Sequence, residues 1–93
     1  MPKFLIEVTH NNTKAECARE LESFMQAGAH YLTNADWGCL VNDHRAWLTV
    51  DVADEAEAKM MVPPVVRHKA KVTKLSKFTP EQVKGLIAQM HPG

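Results

Sequence analysis

Residues 37–52, WGCLVNDHRAWLTVDV, decide the fold class. Ala46, Leu48, Val50 and Val52 alternate with Arg45, Trp47, Thr49 and Asp51, which is strand periodicity with one apolar face. Trp37 to Val41 reads as a shorter strand ahead of it and Asn42 to His44 as the turn, so the stretch predicts a β-hairpin. The same period of two runs from Lys3 to Thr9, where Phe4, Ile6 and Val8 share a face. A polar turn of His10, Asn11 and Asn12 follows, and then Thr13 with Glu16 three residues on, the form of a capping box that opens a helix. At 100° per residue Cys17, Leu21, Phe24 and Gly28 make its core stripe, Glu16, Arg19, Glu20, Glu22 and Gln26 face solvent, and the helix ends at Gly28 or after His30.

Beyond the hairpin, Asp54 with Glu57 caps a second helix, which Pro63 and Pro64 end. Val65 to Ala70 resumes as a helical turn. Lys71 to Phe78 is strand-like, although Val72, Leu75 and Phe78 do not share one phase, which calls for a bulge or for cover on both faces. Thr79, Pro80 and Gln82 then open a last helix with Val83, Leu86, Ile87 and Met90 on one stripe. The order β, α, β, β, α, β, α is α+β: a ferredoxin-like βαββαβ unit with an extra C-terminal helix, one domain over residues 1–93. Both crossover helices lie on one face of such a sheet. The other face needs a cover: the C-terminal helix could supply part of one, since its stripe of Val83, Leu86, Ile87 and Met90 calls for burial, and a second copy in a homodimer supplies it better.

Composition agrees with a small cytoplasmic protein. The 93 residues are 45% hydrophobic, eleven of them alanine, which suffices for the core of a small fold, although a thin sheet covered on one face leaves apolar surface for a partner. Eleven basic and eleven acidic residues cancel, which argues against a dedicated nucleic-acid or membrane-surface protein. Arg67, Lys69, Lys71, Lys74 and Lys77 form a basic stretch, and lysines that guard a strand edge explain it as well as a phosphate backbone would. Two cysteines are too few for a disulfide framework, and reduced thiols are expected. Pro2, Lys3 and Glu7 are unlike a signal peptide, and no apolar run is long enough to span a membrane.

Asp36-Trp37-Gly38-Cys39, Asp43-His44 with Trp47, Met61-Val62-Pro63-Pro64, and Arg67, Ala70, Val72, Phe78 and Thr79 together resemble a family of short bacterial proteins of the dimeric α/β-barrel type. That superfamily holds muconolactone isomerases, small cofactor-free monooxygenases and stress-responsive barrel proteins. The resemblance implies the fold and a dimer of two facing sheets. It transfers no reaction, because one fold hosts many chemistries.

On such a barrel the residues opposite the helix-facing phase line the interior, where a small organic molecule would bind. Glu7 and Asp51 are the candidate general bases, with His10 and His44 at loop ends as proton relays, and Thr9, Trp37, Cys39, Trp47 and Thr49 the candidate ligand-binding residues. The activity expected of this set is that of a cofactor-free isomerase, lyase or monooxygenase. The alternative is a non-catalytic binding or assembly module in which the inner face serves dimer packing and the carboxylates pair across strands. Cys17 reads as a small buried hydrophobe. Cys39 lies opposite Ala46 if the hairpin turn has two residues and opposite Trp47 if it has three, as a buried inert thiol or a reactive one.

No metal and no cofactor is expected. No C-x-x-C or H-E-x-x-H occurs, Cys39 to His44 is only C-x4-H, His30 is solvated, His68 lies among Arg67, Lys69 and Lys71, and His91 stands near the negative end of the last helix. Were a metal found in the protein, Cys39, His44 and His10 would be its ligands.

Overall fold

A computed structural model of the chain describes residues 1–11 and 13–90. The expectations for Asn12 in the first turn and for His91 lie outside the described residues. The fold is α+β: strands β1 (Lys3–Thr9), β2 (Asp36–Trp37), β3 (Arg45–Asp51) and β4 (Ala70–Leu75), with helices α1 (Lys14–Ala27), α2 (Ala29–Thr33), α3 (Glu55–Lys59) and α4 (Pro80–Met90). The strands form one antiparallel sheet in the order β2-β3-β1-β4.

Local chemistry explains where the helices start. Thr13 Oγ1 accepts from Glu16 N at 3.1 Å, Asp54 Oδ1 accepts from Glu57 N at 2.8 Å, and Thr79 and Gln82 close a reciprocal box at 3.2 and 2.8 Å. Each such cap satisfies helix N–H groups that have no partner within the helix. Gly28, at φ 150°, ends α1, and α2 sets off from it in a new direction.

β1 pairs with β3 on one side and β4 on the other, and its register puts Ile6 between Leu48 and Val72 on the helix side. Phe4, Ile6, Val8, Ala46 and Leu48 pack there against Phe24 of α1 and against Ala58, Val62 and Val66. The mixed phase of β4 needs no bulge. Val72 faces the helices, Leu75 shares the opposite face with its partner Lys3, and Phe78 lies beyond the end of the strand.

Three expectations are corrected. The apolar run to Val41 is not a strand: β2 stops at Trp37, and Cys39–Val41 is a 3-10 turn that leaves Leu40 and Val41 exposed. Glu20, assigned to the solvent side of α1, is buried, and one carboxylate oxygen is held by Lys69 Nζ at 3.1 Å from the far side of the sheet order. Finally, α4 covers nothing. All its residues are exposed, Val83, Leu86, Ile87 and Met90 among them, and the radius of gyration is 17.0 Å, against about 12 Å for a compact chain of this length.

Candidate metal centre

Where β1 ends, the chain turns into α1, and His10 follows the last residue of the strand. Its backbone N–H donates to the carbonyl of His44 at 3.1 Å, which extends the β1–β3 ladder by one bond and sets the two imidazoles side by side. Their rings meet edge to face, with centroids 5.3 Å apart. Cys17 faces them from the start of α1, and Cys39 from the 3-10 turn. Cys17 and Cys39 are joined as a disulfide, with Cα atoms 6.7 Å apart, which corrects the expectation of reduced thiols: the fold brings together two cysteines 22 residues apart, and Nε2 of His10 lies 3.5 Å from Cys39 Sγ. One ligand atom from each of His10, Cys17, Cys39 and His44 lies within 4.8 Å of all the others, and none of the four residues is exposed.

The turn that carries Cys39 and His44 is built on Gly38. Its N–H donates to Arg45 O, and its carbonyl accepts from Val41 N and Asp43 N. A Cβ on Gly38 would stand 2.6 Å from the Asp43 carbonyl oxygen and 3.0 Å from the Trp47 ring. Asn42 takes the left-handed conformation at φ 65°, which asparagine tolerates better than most residues, and its Oδ1 accepts from His44 Nε2 at 3.1 Å. That bond calls for a proton on His44 Nε2, and the ring's other nitrogen, Nδ1, is buried without a partner. Nδ1 of His10 is likewise buried without a partner. Each imidazole thus keeps a buried nitrogen without a partner, and His10 turns its Nε2 to Cys39 Sγ, an arrangement in which a cation could be held.

The electrostatics suit a cation. Burial pushes the His10 imidazole below its ordinary pKa, against the pull of the Glu20 carboxylate, so the ring is neutral at pH 7 and offers a lone pair. Nearby cations are tied down elsewhere: Lys69 on Glu20, and Arg45 on Asp43 through two bonds of 2.7–2.8 Å and over the Trp47 ring. The Arg45 guanidinium bonded to it holds the Asp43 carboxyl below the usual carboxylate range.

Of the residues singled out from sequence, His10, His44 and Cys39 come together here, and Cys17 joins them in place of its expected role as an inert hydrophobe. Cys39 is opposite neither Ala46 nor Trp47, because β2 pairs Trp37 with Ala46 and Asp36 with Trp47. Trp37 stacks edge to face on Phe24 at 4.8 Å, on the helix side. Glu7 lies on the uncovered face between Trp47 and Lys71, and Thr9 is exposed. Asp51 is exposed, 3.5 Å from Lys3 Nζ. Thr49 lines a cleft of about 330 Å³ with His30, Tyr31, Asn34 and Met61, a lining that includes neither His10 nor His44. Comparison with protein-family models, curated proteins and solved structures found no match for this chain. Among the described residues no helix is long and apolar enough to cross a membrane.

Gly38→Ala is expected to cost about 1–3 kcal/mol, the range for forcing atoms into filled space. It should also weaken metal uptake, since Cys39 and His44 hang on the same turn. Urea unfolding and a zinc titration of the variant check both effects.

Proposed function

We propose that the chain is a metal-binding protein whose His10, Cys17, Cys39 and His44 hold one divalent ion of zinc type once the cysteines are reduced. The observation that carries this is the convergence of the four ligand atoms within 4.8 Å. Tetrahedral zinc, with Zn–S of about 2.3 Å and Zn–N of about 2.0–2.1 Å, sets its ligands roughly 3.3–3.8 Å apart, so small side-chain movements would complete the shell. Two thiolates and two imidazoles favour zinc over the oxygen-seeking magnesium and calcium. Four protein ligands leave no open position, which speaks for a structural or sensory centre rather than a hydrolytic one. The ion would tie the end of β1, the start of α1 and the hairpin turn together.

Cobalt(II) added to the reduced protein tests this. Visible d–d bands of tetrahedral intensity and near-ultraviolet thiolate charge transfer, both saturating at one equivalent, are expected. Saturable binding without charge transfer would remove the cysteines from the site and refute the reading.

The fold supports a second element of the reading: a ferredoxin-like sheet paired with a second copy as a dimeric α/β barrel. The exposed stripe Val83, Leu86, Ile87 and Met90 and the half-buried Leu5 and Trp47 on the uncovered face favour it, because a lone chain leaves them wet. A small organic molecule between the two sheets, with Glu7 and Thr49 near it, belongs to that arrangement and not to the single chain. Light scattering on a sizing column should give twice 10.4 kDa; a monomer at micromolar concentration would refute the barrel and leave the metal centre standing.

A further inference from the structure

We infer that the metal centre is gated by thiol oxidation, the Cys17–Cys39 disulfide being the metal-free state of the same four residues. The inference rests on the metal-binding reading and adds its regulation. The geometry points to it because one pair of sulfurs serves two exclusive bonds. Cys17 and Cys39 are close enough to be joined to each other, while His10 and His44 stay gathered around them with a buried, unpartnered nitrogen each. A disulfide sulfur carries no thiolate charge and is a poor ligand for zinc. Closing the disulfide therefore removes both anionic donors at once, and the two imidazoles alone are too few to keep the ion.

The cycle balances with a peroxide or a low-molecular-weight disulfide as oxidant. Two zinc-bound thiolates, one hydrogen peroxide and two protons give one protein disulfide, two waters and a free zinc ion. The two electrons leave the sulfurs, the peroxide O–O bond breaks and the S–S bond forms. With a low-molecular-weight disulfide in place of peroxide, the products are two small thiols instead of water. A dithiol or phosphine reductant reverses the protein half of the reaction and restores the thiolates. The backbone bond from His10 N–H to the His44 carbonyl, and the bond from His44 Nε2 to Asn42, involve neither sulfur, so the imidazole half of the site persists through the cycle and is ready for reloading.

The test begins with full-length protein reduced under anaerobic conditions, loaded with one equivalent of zinc and freed of excess. Hydrogen peroxide is added with a chromogenic chelator present, and zinc release is followed beside thiol loss and the loss of two hydrogens per chain by mass. One zinc released for each intrachain disulfide, at a common rate, with reuptake after phosphine reduction, is the expected result. Oxidation of the pair with zinc retained would overturn the gate, as would zinc release with the thiols intact. His10→Asn separates the two halves of the argument: it should form the disulfide with the same peroxide yet hold at least tenfold less zinc when reduced. Wild-type protein that is reduced and folded but takes up no zinc would defeat the metal reading and the gate with it. Protein that loads but does not release on oxidation defeats the gate alone.

Discussion

Reduced and chelated, the protein is expected to melt far below its oxidised form, and zinc is expected to restore most of the difference. The disulfide spans 22 residues, and closing a loop of that size removes unfolded-state entropy worth roughly 3 kcal/mol. In a domain of this length such a loss lowers Tm by roughly 12–24 °C. A small core makes the loss visible, for among the described residues the fully buried large side chains are few: Phe24, Ile6, Leu48, Val8, Val62 and Pro63. Zinc binds the folded reduced chain far better than the unfolded one, so it should raise Tm with concentration, as RT ln(1 + [Zn]/Kd) requires. Calorimetry on three samples, oxidised, reduced with chelator and reduced with zinc, checks the ordering. An unchanged melt on adding zinc to the reduced protein would show that the ion does not bind the folded site.

Removing single ligands should divide the cluster from its surroundings. Asn42→Gly keeps the left-handed backbone and takes away the acceptor that orients His44, and partners of that kind are worth about 10- to 100-fold in metal affinity. Cys39→Ser and His10→Ala each remove a donor outright, and their losses should exceed that range. Cys17→Ser should match Cys39→Ser in affinity, although the two residues sit on different elements, because the ion needs both thiolates. Competition with a chelator of known zinc affinity measures all four variants. Lys69→Met is the control outside the shell. It strips Glu20 of its partner and lowers stability, by about 1–3 kcal/mol after allowance for the part of Lys69 that solvent screens, yet it leaves the four donors in place.

Much of the fold is legible in the chain, because local chemistry carries it. β1 runs from Lys3 to Thr9 as its alternation says, and Thr13 with Glu16, Asp54 with Glu57 and Thr79 with Gln82 all mark helix starts. The hairpin was harder. Leu40 and Val41 extend the apolar run of a strand, but the 3-10 turn exposes them, and periodicity carries no sign of which apolar residues are spent on a turn. From sequence Glu20 reads as solvated because a carboxylate usually is, and its partner Lys69 stands 49 residues away. The stripe on α4 is legible, and its cover is not in the single chain.

The candidate centre is the clearest case of what sequence spacing hides. Cys17 and Cys39 are 22 residues apart, and His10 and His44 belong to different strand ends. Metal-site motifs signal themselves when two ligands share a short turn or a helix face, and here no two do so in a recognised pattern. What the sequence does contain is three candidate ligands at element boundaries: His10 after β1, Cys39 after β2 and His44 before β3. Cys17 escaped because the core stripe of α1 passes through it, and a cysteine on an apolar stripe is ordinarily a small hydrophobe. The antiparallel register brings the first and third together, and the cap at Thr13 sets the phase that turns Cys17 toward them.

The most direct measurement is zinc K-edge X-ray absorption on the reduced, zinc-loaded protein. One zinc per chain is expected, with a first shell of two sulfurs at about 2.3 Å and two imidazole nitrogens at about 2.0–2.1 Å. A shell of oxygen and nitrogen alone, or a reduced and folded protein that retains no zinc to measure, would contradict it.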